Sequence, residues 1–169
     1  KEDGLSFKNV ITFNLDEYYG LEPNDINSYH LFMDDNLFNH IDIPKENINI
    51  PTGMLHHNKV RAYCKAYEKK INDLGGLDFL LLGIGRTGHV GFNEPGSNIN
   101  SQTRLVTLDQ LTRYDAASTF YGIDNVPTKA ISMGIKTILN AKRIVLIAWG
   151  TNKSEIIQKA VEGALTPKI

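Results

Sequence analysis

The sequence predicts an α/β fold: a doubly wound, mostly parallel sheet with helices on both faces. Short apolar runs rich in β-branched residues, typical of buried strands, alternate along the chain with segments whose apolar residues recur at helical spacing. Such alternation favours parallel strands that are joined by helices. The 169 residues suffice for one domain of common size, so residues 1–169 are expected to form a single α/β domain.

The first half of the chain predicts two strands, two helices and one ordered loop. These are, in chain order, a strand at 10–15, a helix capped by Ser28 that ends before Pro44, a loop at 41–53, a helix from Val60 to the Gly75-Gly76 stop, and a strand at 77–82. In the second helix the apolar side chains step by three and four residues, which predicts one buried face.

The second half begins with a long loop, from 83 to about 102, that is rich in Gly, Asn and Ser. Beyond it, the pattern predicts a short strand at 104–107, a helix at 112–121, a strand at 130–133, a strand at 143–149 and a helix at 152–163. Because this loop directly follows an apolar strand, it is where we expect the chemistry.

Composition narrows the class of partner. Lys and Arg number 18 against 19 Asp and Glu, a formal charge of −1, and this balance gives no general attraction to nucleic acid or to a membrane surface. No apolar run approaches the roughly 20 residues that span a bilayer, and the first ten residues lack the pattern of a signal peptide. The single cysteine, Cys64, fits a reducing compartment, so we expect a cytoplasmic protein.

The segment from Gly83 to Gly88 matches the G-x-G-x-x-G pattern of dinucleotide sites, and Asp109 lies 21 residues further on. That fingerprint requires a helix that starts at the third glycine and holds the pyrophosphate. Here Gly91, Pro95 and Gly96 follow instead, and they argue against such a helix. The sequence therefore does not predict a dinucleotide site at this loop.

Acidic and imidazole groups follow two of the predicted strands. Asp16 comes directly after the first strand, and His89 and Glu94 lie beyond the strand at 77–82. Because the carboxyl ends of parallel strands share one edge, these side chains are expected to converge on one pocket. A carboxylate and an imidazole suit proton transfer near neutral pH.

Ordinary structural roles compete with this interpretation. A lone Asp after a strand is most often a turn or cap residue, and Tyr18 beside it is by default a packing residue. His56-His57 has no helical partner and there is no second Cys, so no metal site is predicted. Asp16 together with His89 and Glu94 is what favours catalysis.

Three motifs resemble the glucosamine-6-phosphate deaminases in order and spacing. They are Phe13-Asn14-Leu15-Asp16-Glu17-Tyr18 followed by Gly20-Leu21, Gly83-Ile84-Gly85-x-x-Gly88-His89-x-Gly91-Phe92-Asn93-Glu94-Pro95, and Ala160-Val161-Glu162-Gly163. The resemblance covers nearly the whole chain. It implies the Rossmann-like fold of the sugar-phosphate isomerases.

The resemblance also implies roles. Asp16 would abstract the C2 proton, His89 would serve ring opening, and Glu94 would orient His89. The residues implied to bind substrate are Lys153, which opens the last helix, with Tyr18, Gly85 and Gly88. The implied reaction converts D-glucosamine 6-phosphate and water to D-fructose 6-phosphate and ammonia through an enolamine, and it needs no cofactor.

Two other functions stay open. The 6-phosphogluconolactonases have a similar glycine-histidine loop but lack the Asp-Glu-Tyr and Phe-Asn-Glu-Pro motifs that are present here. A noncatalytic sugar-phosphate sensor is the second alternative, and the joint presence of Asp16, His89 and Glu94 argues against it.

The chain also departs from the family pattern. Thr87 stands where many deaminases have an aspartate, so Glu94 is expected to orient His89 largely alone, with little loss on Thr87→Ala. No arginine lies near Ser118 to supply a second phosphate contact, and Arg104 and Arg113 are the candidates to replace it. Val106 stands where regulated members carry a basic residue, which favours a protein without their feedback control.

The family also has parts that this sequence lacks. A Gly-Ser/Thr-rich phosphate loop precedes the first strand in the family, and a further strand follows the last helix, so we expect a fragment of a larger chain. The sequence leaves the oligomeric state open, and a homo-oligomer is compatible with it.

Overall fold

The computed structural model describes residues 4–164 and residue 166. The strands are β1 (Thr12–Phe13), β2 (Asp16–Tyr18), β3 (Ile48–Asn49), β4 (Leu80–Leu82), β5 (Arg104–Thr107), β6 (Lys129–Ser132) and β7 (Ile144–Leu146). The α-helices are α1 (Tyr29–Asn36), α2 (His57–Asp73), α3 (Gln110–Ala116), α4 (Ile135–Leu139) and α5 (Ser154–Glu162).

The strands form three small hydrogen-bonded sheets. β1 pairs with β3 and β4 pairs with β7, both in parallel. Between β2 and β5 lies β6, antiparallel to both, in a three-stranded sheet. This arrangement confirms the α/β class, while the strand directions are more mixed than the mostly parallel sheet that the sequence predicts.

The chain changes partner within the segment that the sequence predicts as one strand. Asn14 still donates its N–H to Asn49 O, at 2.8 Å, which extends the pairing of β1 with β3. Leu15 O then accepts the N–H of Met133, at 2.7 Å, and β2 continues along β6. Asp16 therefore begins an antiparallel strand, where the sequence placed it just beyond the end of a parallel one.

The three-stranded sheet has two different faces. Register places Asp16 opposite Ser132 and Ser132 opposite Arg104, so these three polar side chains share one face. On the opposite face Ile131, which is fully buried, packs with Val60 and Cys64 of α2. The sheet thus uses its α2 face as core and presents its polar row to the loop that follows β4.

The helix α2 follows the predicted spacing. Its buried residues are Val60, Cys64, Tyr67, Glu68 and Ile71. It ends before Gly75 and Gly76, whose φ values of 88° and 87° only glycine adopts readily. None of the helices in residues 4–164 is long and apolar enough to cross a membrane.

Other predicted elements are confirmed with shifted ends. The strand at 104–107 has the predicted limits, whereas the predicted helices at 112–121 and 152–163 are α3 and α5, each with different bounds. Two short elements, β3 and α4, lie where the sequence predicted a loop and no element. Two or five residues are too few to produce a periodic pattern, and tertiary contacts define both.

A buried carboxylate joins α1 to the central sheet. Glu17 is 1% exposed, and its two carboxylate oxygens accept the backbone N–H groups of Tyr18, Tyr29 and His30 at 2.8, 3.2 and 3.1 Å. Ser28 completes the helix start by accepting the N–H of Leu31 at 3.1 Å. The first turn of α1 is therefore held by β2 as well as by its own cap.

We expect Glu17→Ala to lower the free energy of unfolding by about 2–4 kcal/mol, because it leaves several buried N–H groups without acceptors. Urea unfolding followed by circular dichroism measures the loss. The exposed Glu22 is the matched control, and Glu22→Ala should change stability by less than about 0.5 kcal/mol. Equal stability of the two variants would show that Glu17 does not hold α1.

Candidate active site

The loop from 83 to 96 lies on the polar face of the three-stranded sheet, and three hydrogen bonds hold it there. Ser132 Oγ accepts the N–H of Phe92 at 3.1 Å. The side chain of Asn93 donates to Met133 O at 2.7 Å and accepts from Arg104 at 2.8 Å. The loop is therefore tied to both β5 and β6, and its position over Asp16 follows from the strand register.

Asp16 lies beneath this loop. A methyl group built on Gly91 would lie 3.1 Å from both Asp16 Oδ2 and Ser132 Oγ, so the bare backbone of Gly91 covers the carboxylate. Gly91 has a φ of 56°, a left-handed conformation that also favours glycine. The glycine at this position thus allows the loop to approach the acid closely.

Burial changes the acidity of Asp16. Part of the residue reaches solvent, yet protein atoms surround its carboxyl group closely. Desolvation first, and then the charge of Glu17, raise the pKa of Asp16 from 3.8 to about 7. Within the described residues no side chain donates a hydrogen bond to this carboxylate, so nothing local offsets the cost of its charge. A carboxyl group of this pKa can both take and return a proton near neutral pH.

His89 and Glu94 meet in the loop as the sequence predicts, but a third residue stands between them. Thr87 Oγ1 lies 2.9 Å from His89 Nδ1 and donates to Glu94 Oε2 at 3.0 Å. The direct separation between His89 Nδ1 and Glu94 Oε2 is 3.4 Å. This geometry corrects the expectation that Glu94 orients His89 largely alone, because the shorter contact of the imidazole is with Thr87.

The other oxygen of Glu94 is also occupied. Thr112, on α3, donates its hydroxyl to Glu94 Oε1. Thr112 is buried, and its hydrogen bond connects Glu94, at the end of the loop, to α3. Both carboxylate oxygens of Glu94 therefore have a fixed threonine donor.

Two predicted substrate-binding glycines shape the loop. A methyl group on Gly85 would fall 2.0–2.4 Å from the ring of His89, so the imidazole packs directly on the Gly85 backbone. Gly85 also donates its N–H to His89 O at 2.8 Å. Gly88, with φ of 94°, closes a turn by donating to Gly85 O at 3.1 Å. These contacts explain both glycines without a ligand.

Tyr18, the third predicted substrate contact, is buried in an aromatic cluster. Its ring centroid lies 5.4 Å from Tyr29, 5.3 Å from Phe92 and 5.1 Å from Phe120. It is 6% exposed. The packing role that the sequence analysis gave as the default therefore fits the structure, and a direct substrate contact does not.

Lys153 lies in the 3₁₀ turn that precedes α5, and the first turn of this helix has no side-chain cap. β7 runs parallel to β4, with Leu82 opposite Leu146, and Ile147 donates to Leu82 O at 2.8 Å. The segment leading to Lys153 and the segment leading to His89 therefore leave the same edge of this sheet. This shared edge is where a ligand of both would lie.

Arg104 and Arg113, the candidates for a second phosphate contact, both donate hydrogen bonds to protein groups. Arg113 donates to the carbonyl oxygens of Ile123 and Val126, at 2.8 and 3.1 Å, which fastens α3 to the turn after it. Arg104 holds Asn93. Neither guanidinium points to a phosphate contact.

Sequence reasoning missed Ser132 and Thr112. Ser132 is fully buried within the apolar strand β6, and a serine inside such a run is a signal that its hydroxyl has a partner. Thr112 had no such signal, because its partner Glu94 is 18 residues away in the chain.

The predicted site residues do not line the cavity between α1 and α2. A cavity of about 550 Å³ lies between α1, α2 and the 41–50 segment, with His30, Asp34, Tyr67 and Lys70 in its wall, and none of the predicted site residues lines it. In residues 4–164, no group of three or more His, Cys, Asp and Glu side chains could hold a metal ion. The sheet face with Asp16 remains the candidate site because the loop that carries His89 and Glu94 covers Asp16 through Gly91.

Comparison with protein families gives one match over residues 1–168, to the model described as glucosamine-6-phosphate isomerases/6-phosphogluconolactonase. A glucosamine-6-phosphate deaminase of Clostridium botulinum is 48% identical over all 169 residues, which span 68% of that relative. One from Alkaliphilus oremlandii is also 48% identical, with 69% of its length spanned. A glucosamine-6-phosphate deaminase-like protein of Bacteroides thetaiotaomicron is 47% identical, and there the chain spans 26% of the length.

Solved structures agree. A monomeric glucosamine-6-phosphate deaminase superposes with a TM-score of 0.95 at 47% identity, over 99% of this chain and 68% of that one. The 6-phosphogluconolactonase of Thermotoga maritima gives a TM-score of 0.72 at 16% identity, over 99% of this chain and 70% of that one, a likeness of fold alone. The resemblance stated from the motifs is confirmed.

The raised pKa of Asp16 predicts a pH-dependent stability difference. Between pH 4 and pH 7 an unfolded Asp16 loses its proton while the folded one keeps it, so the wild-type protein loses stability as the pH rises. Asp16→Asn has no charge to bury, and it should be more stable than wild type by about 2–4 kcal/mol at pH 8.

Urea unfolding at pH 4, 6 and 8 measures this difference, which should shrink towards pH 4. Asp35→Asn, on the exposed side of α1, is the control and should show no such trend. A constant difference across the three pH values would mean that the pKa of Asp16 is not raised.

Proposed function

Because the chain belongs to the family of glucosamine-6-phosphate isomerases and 6-phosphogluconolactonases, we propose that it acts as a glucosamine-6-phosphate deaminase. Residues 1–169 would form its single α/β catalytic domain. The reaction converts D-glucosamine 6-phosphate and water to D-fructose 6-phosphate and ammonia. It belongs to amino-sugar catabolism.

One observation carries this proposal. The carboxyl group of Asp16, whose pKa is about 7, lies beneath Gly91. Gly91 is two residues along the chain from His89, whose imidazole is held by Glu94 through Thr87. Isomerisation requires a base that removes a proton from carbon and then returns it to the neighbouring carbon. A carboxyl group that is half-protonated near neutral pH performs both transfers with little loss in either direction.

Asp16 takes the base role. In the open-chain sugar it removes the proton from C2, and the electron pair forms the C1–C2 double bond of an enolamine as O1 gains a proton from solvent. The protonated Asp16 then delivers its proton to C1, which leaves an iminium group at C2. Water adds to C2, the C–N bond breaks and ammonia departs with the surplus proton as ammonium, so that a ketone remains. Asp16 has been a carboxylate again since it protonated C1.

His89 takes the ring-opening role. The ring form opens when the proton on O1 is removed and a proton is supplied to the ring oxygen O5, and one imidazole can do both. Nδ1 of His89 is engaged with Thr87 and Glu94, so Nε2 is the nitrogen that meets the sugar oxygens. Glu94 holds the ring in place, together with its threonine donors.

The phosphate group is assigned to the segment around Lys153. A dianion at this point gains the lysine charge and the dipole of α5, whose first turn has no side-chain cap. Gly85 and Gly88 have no side chains that would keep the sugar away from His89. Tyr18 supports the loop by packing its ring against Phe92. The other predicted substrate contacts thus act through the backbone and through packing.

The proposed reaction uses proton transfers and one water molecule, and no step in it calls for a redox group or another cofactor. The substrate is a small sugar phosphate. We place the reaction in the cytoplasm, where the buried thiol of Cys64 stays reduced. The glucosamine-6-phosphate deaminase of known structure that is 47% identical to this chain is monomeric, and a homo-oligomer is also compatible with the sequence.

We expect Asp16→Asn to abolish ammonia release from D-glucosamine 6-phosphate, because the amide keeps the shape of the side chain and loses its basic lone pair. The measurement is kcat in a coupled ammonia assay on the full-length protein. Activity within about tenfold of wild type, a barrier change of only about 1.4 kcal/mol, would refute the base role.

Asp35→Asn is the matched control for this loss of charge and should keep wild-type kcat. The same preparations are assayed for hydrolysis of 6-phosphogluconolactone. Lactone hydrolysis without ammonia release would refute the deaminase function and support that of a lactonase. Binding of D-glucosamine 6-phosphate without turnover would support a noncatalytic sensor.

For Lys153→Ala we expect KM for the phosphorylated sugar to rise about 10- to 100-fold, because one charge-assisted contact with the phosphate is lost. Steady-state kinetics with D-glucosamine 6-phosphate measures it. Lys65→Ala, an exposed lysine on α2, should leave KM unchanged. Equal KM values for Lys153→Ala and Lys65→Ala would show that Lys153 does not bind the phosphate.

A further inference from the structure

The hydrogen bonds around His89 determine which of its two nitrogens carries the proton. Both oxygens of Glu94 accept hydroxyl hydrogens, from Thr87 at Oε2 and from Thr112 at Oε1. A threonine hydroxyl has a single hydrogen. Because that of Thr87 is donated to Glu94, Thr87 Oγ1 can only accept at its second contact, the one with His89 Nδ1.

The contact of 2.9 Å between Thr87 Oγ1 and His89 Nδ1 is therefore a donation from the imidazole. A neutral imidazole carries one hydrogen, so Nε2 keeps its lone pair. The ring packs on the bare Gly85 backbone, which leaves no space for a different placement of the ring on that side.

We propose that Thr87 is a positioning residue that fixes neutral His89 as its Nδ1–H tautomer by relaying the hydrogen bond of the imidazole to Glu94. Thr112 acts one step further away, by holding Glu94 in line with Thr87. The free lone pair of Nε2 is then ready to take a proton from a sugar oxygen, so this role rests on the proposed function.

The relay explains why a hydroxyl suffices at position 87. Glu94 Oε2 is 3.4 Å from Nδ1, beyond the 2.7–3.2 Å typical of an N–H···O bond, and Thr87 bridges that gap with contacts of 2.9 and 3.0 Å. Without the hydroxyl, the acceptor that remains for Nδ1 is Glu94 Oε2 at 3.4 Å, so the selection of the Nδ1–H form weakens.

The test compares Thr87→Val, which keeps the shape and removes the hydroxyl, with Thr87→Ser, which keeps the hydroxyl. We expect Thr87→Val to lower kcat about 10- to 100-fold with KM changed by less than about threefold, because positioning and not binding is lost. Thr87→Ser should restore kcat to within about threefold of wild type. Thr107→Val, on the exposed end of β5, is the control for the same substitution and should match wild type.

A direct readout is the tautomer itself, from two-bond ¹H–¹⁵N correlation spectra of ¹⁵N-histidine-labelled protein at a pH where His89 is neutral. The resonances of His89 are those missing from a His89→Gln variant. Wild type, Thr87→Ser and Thr107→Val should show a protonated Nδ1, and Thr87→Val should show a mixture or a protonated Nε2. Thr112→Val should shift the populations in the same direction.

An unchanged tautomer together with unchanged kcat in Thr87→Val would overturn the proposal. The spectra do not depend on turnover, so the two proposals fail in different ways. A protein that releases no ammonia but shows the Thr87-dependent tautomer would lose the deaminase function and keep the relay.

Discussion

The hydroxyl of Ser132 is the interaction on which the site depends. It lies on the central strand of the three-stranded sheet, fully buried, where an unpaired hydroxyl would be costly. It accepts the N–H of Phe92 at 3.1 Å, and its neighbours across the sheet are Asp16 and Arg104. The buried hydroxyl of Ser132 thus holds the 83–96 loop against the sheet, above Asp16. Asn93 and Arg104 add the lateral restraint.

This arrangement has an energetic cost that is part of its function. Asp16 is surrounded by protein atoms, and Glu17 on the next position adds a second negative charge. The chain separates the two by strand alternation: Glu17 turns to the other face and is satisfied by three backbone N–H groups, while Asp16 receives no such donor. Burial raises the pKa of both acids, but only at Glu17 do backbone hydrogen bonds act against the rise, and the same bonds support the helix.

The sequence alone was sufficient for the fold class, for α2 and β5 and for the meeting of His89 with Glu94. Long periodic segments and short motifs carry that information locally. It was insufficient where the outcome depended on distant pairing. The switch of the chain from β3 to β6 at Leu15, the row of Asp16, Ser132 and Arg104, and the donor from Thr112 all join segments far apart in the chain. Tyr18 is a different case, because a motif suggested a substrate contact and only packing distances could reveal its aromatic surroundings.

The hydroxyl of Thr87 contacts His89 and Glu94 without adding a charge to the site. The site already contains Asp16 and Glu94, and its proposed substrate brings a phosphate dianion. A further carboxylate at position 87 would orient the imidazole strongly, but it would also add repulsion among acids and raise their pKa values further. A hydroxyl relays the same hydrogen bond without adding charge. Both oxygens of Glu94 accept hydrogen bonds, from Thr87 and from Thr112, and Thr87 also contacts the imidazole of His89. None of these contacts involves the carboxyl group of Asp16. In the proposed function, the neutral relay lets Glu94 position His89 while Asp16 remains free to act as the base.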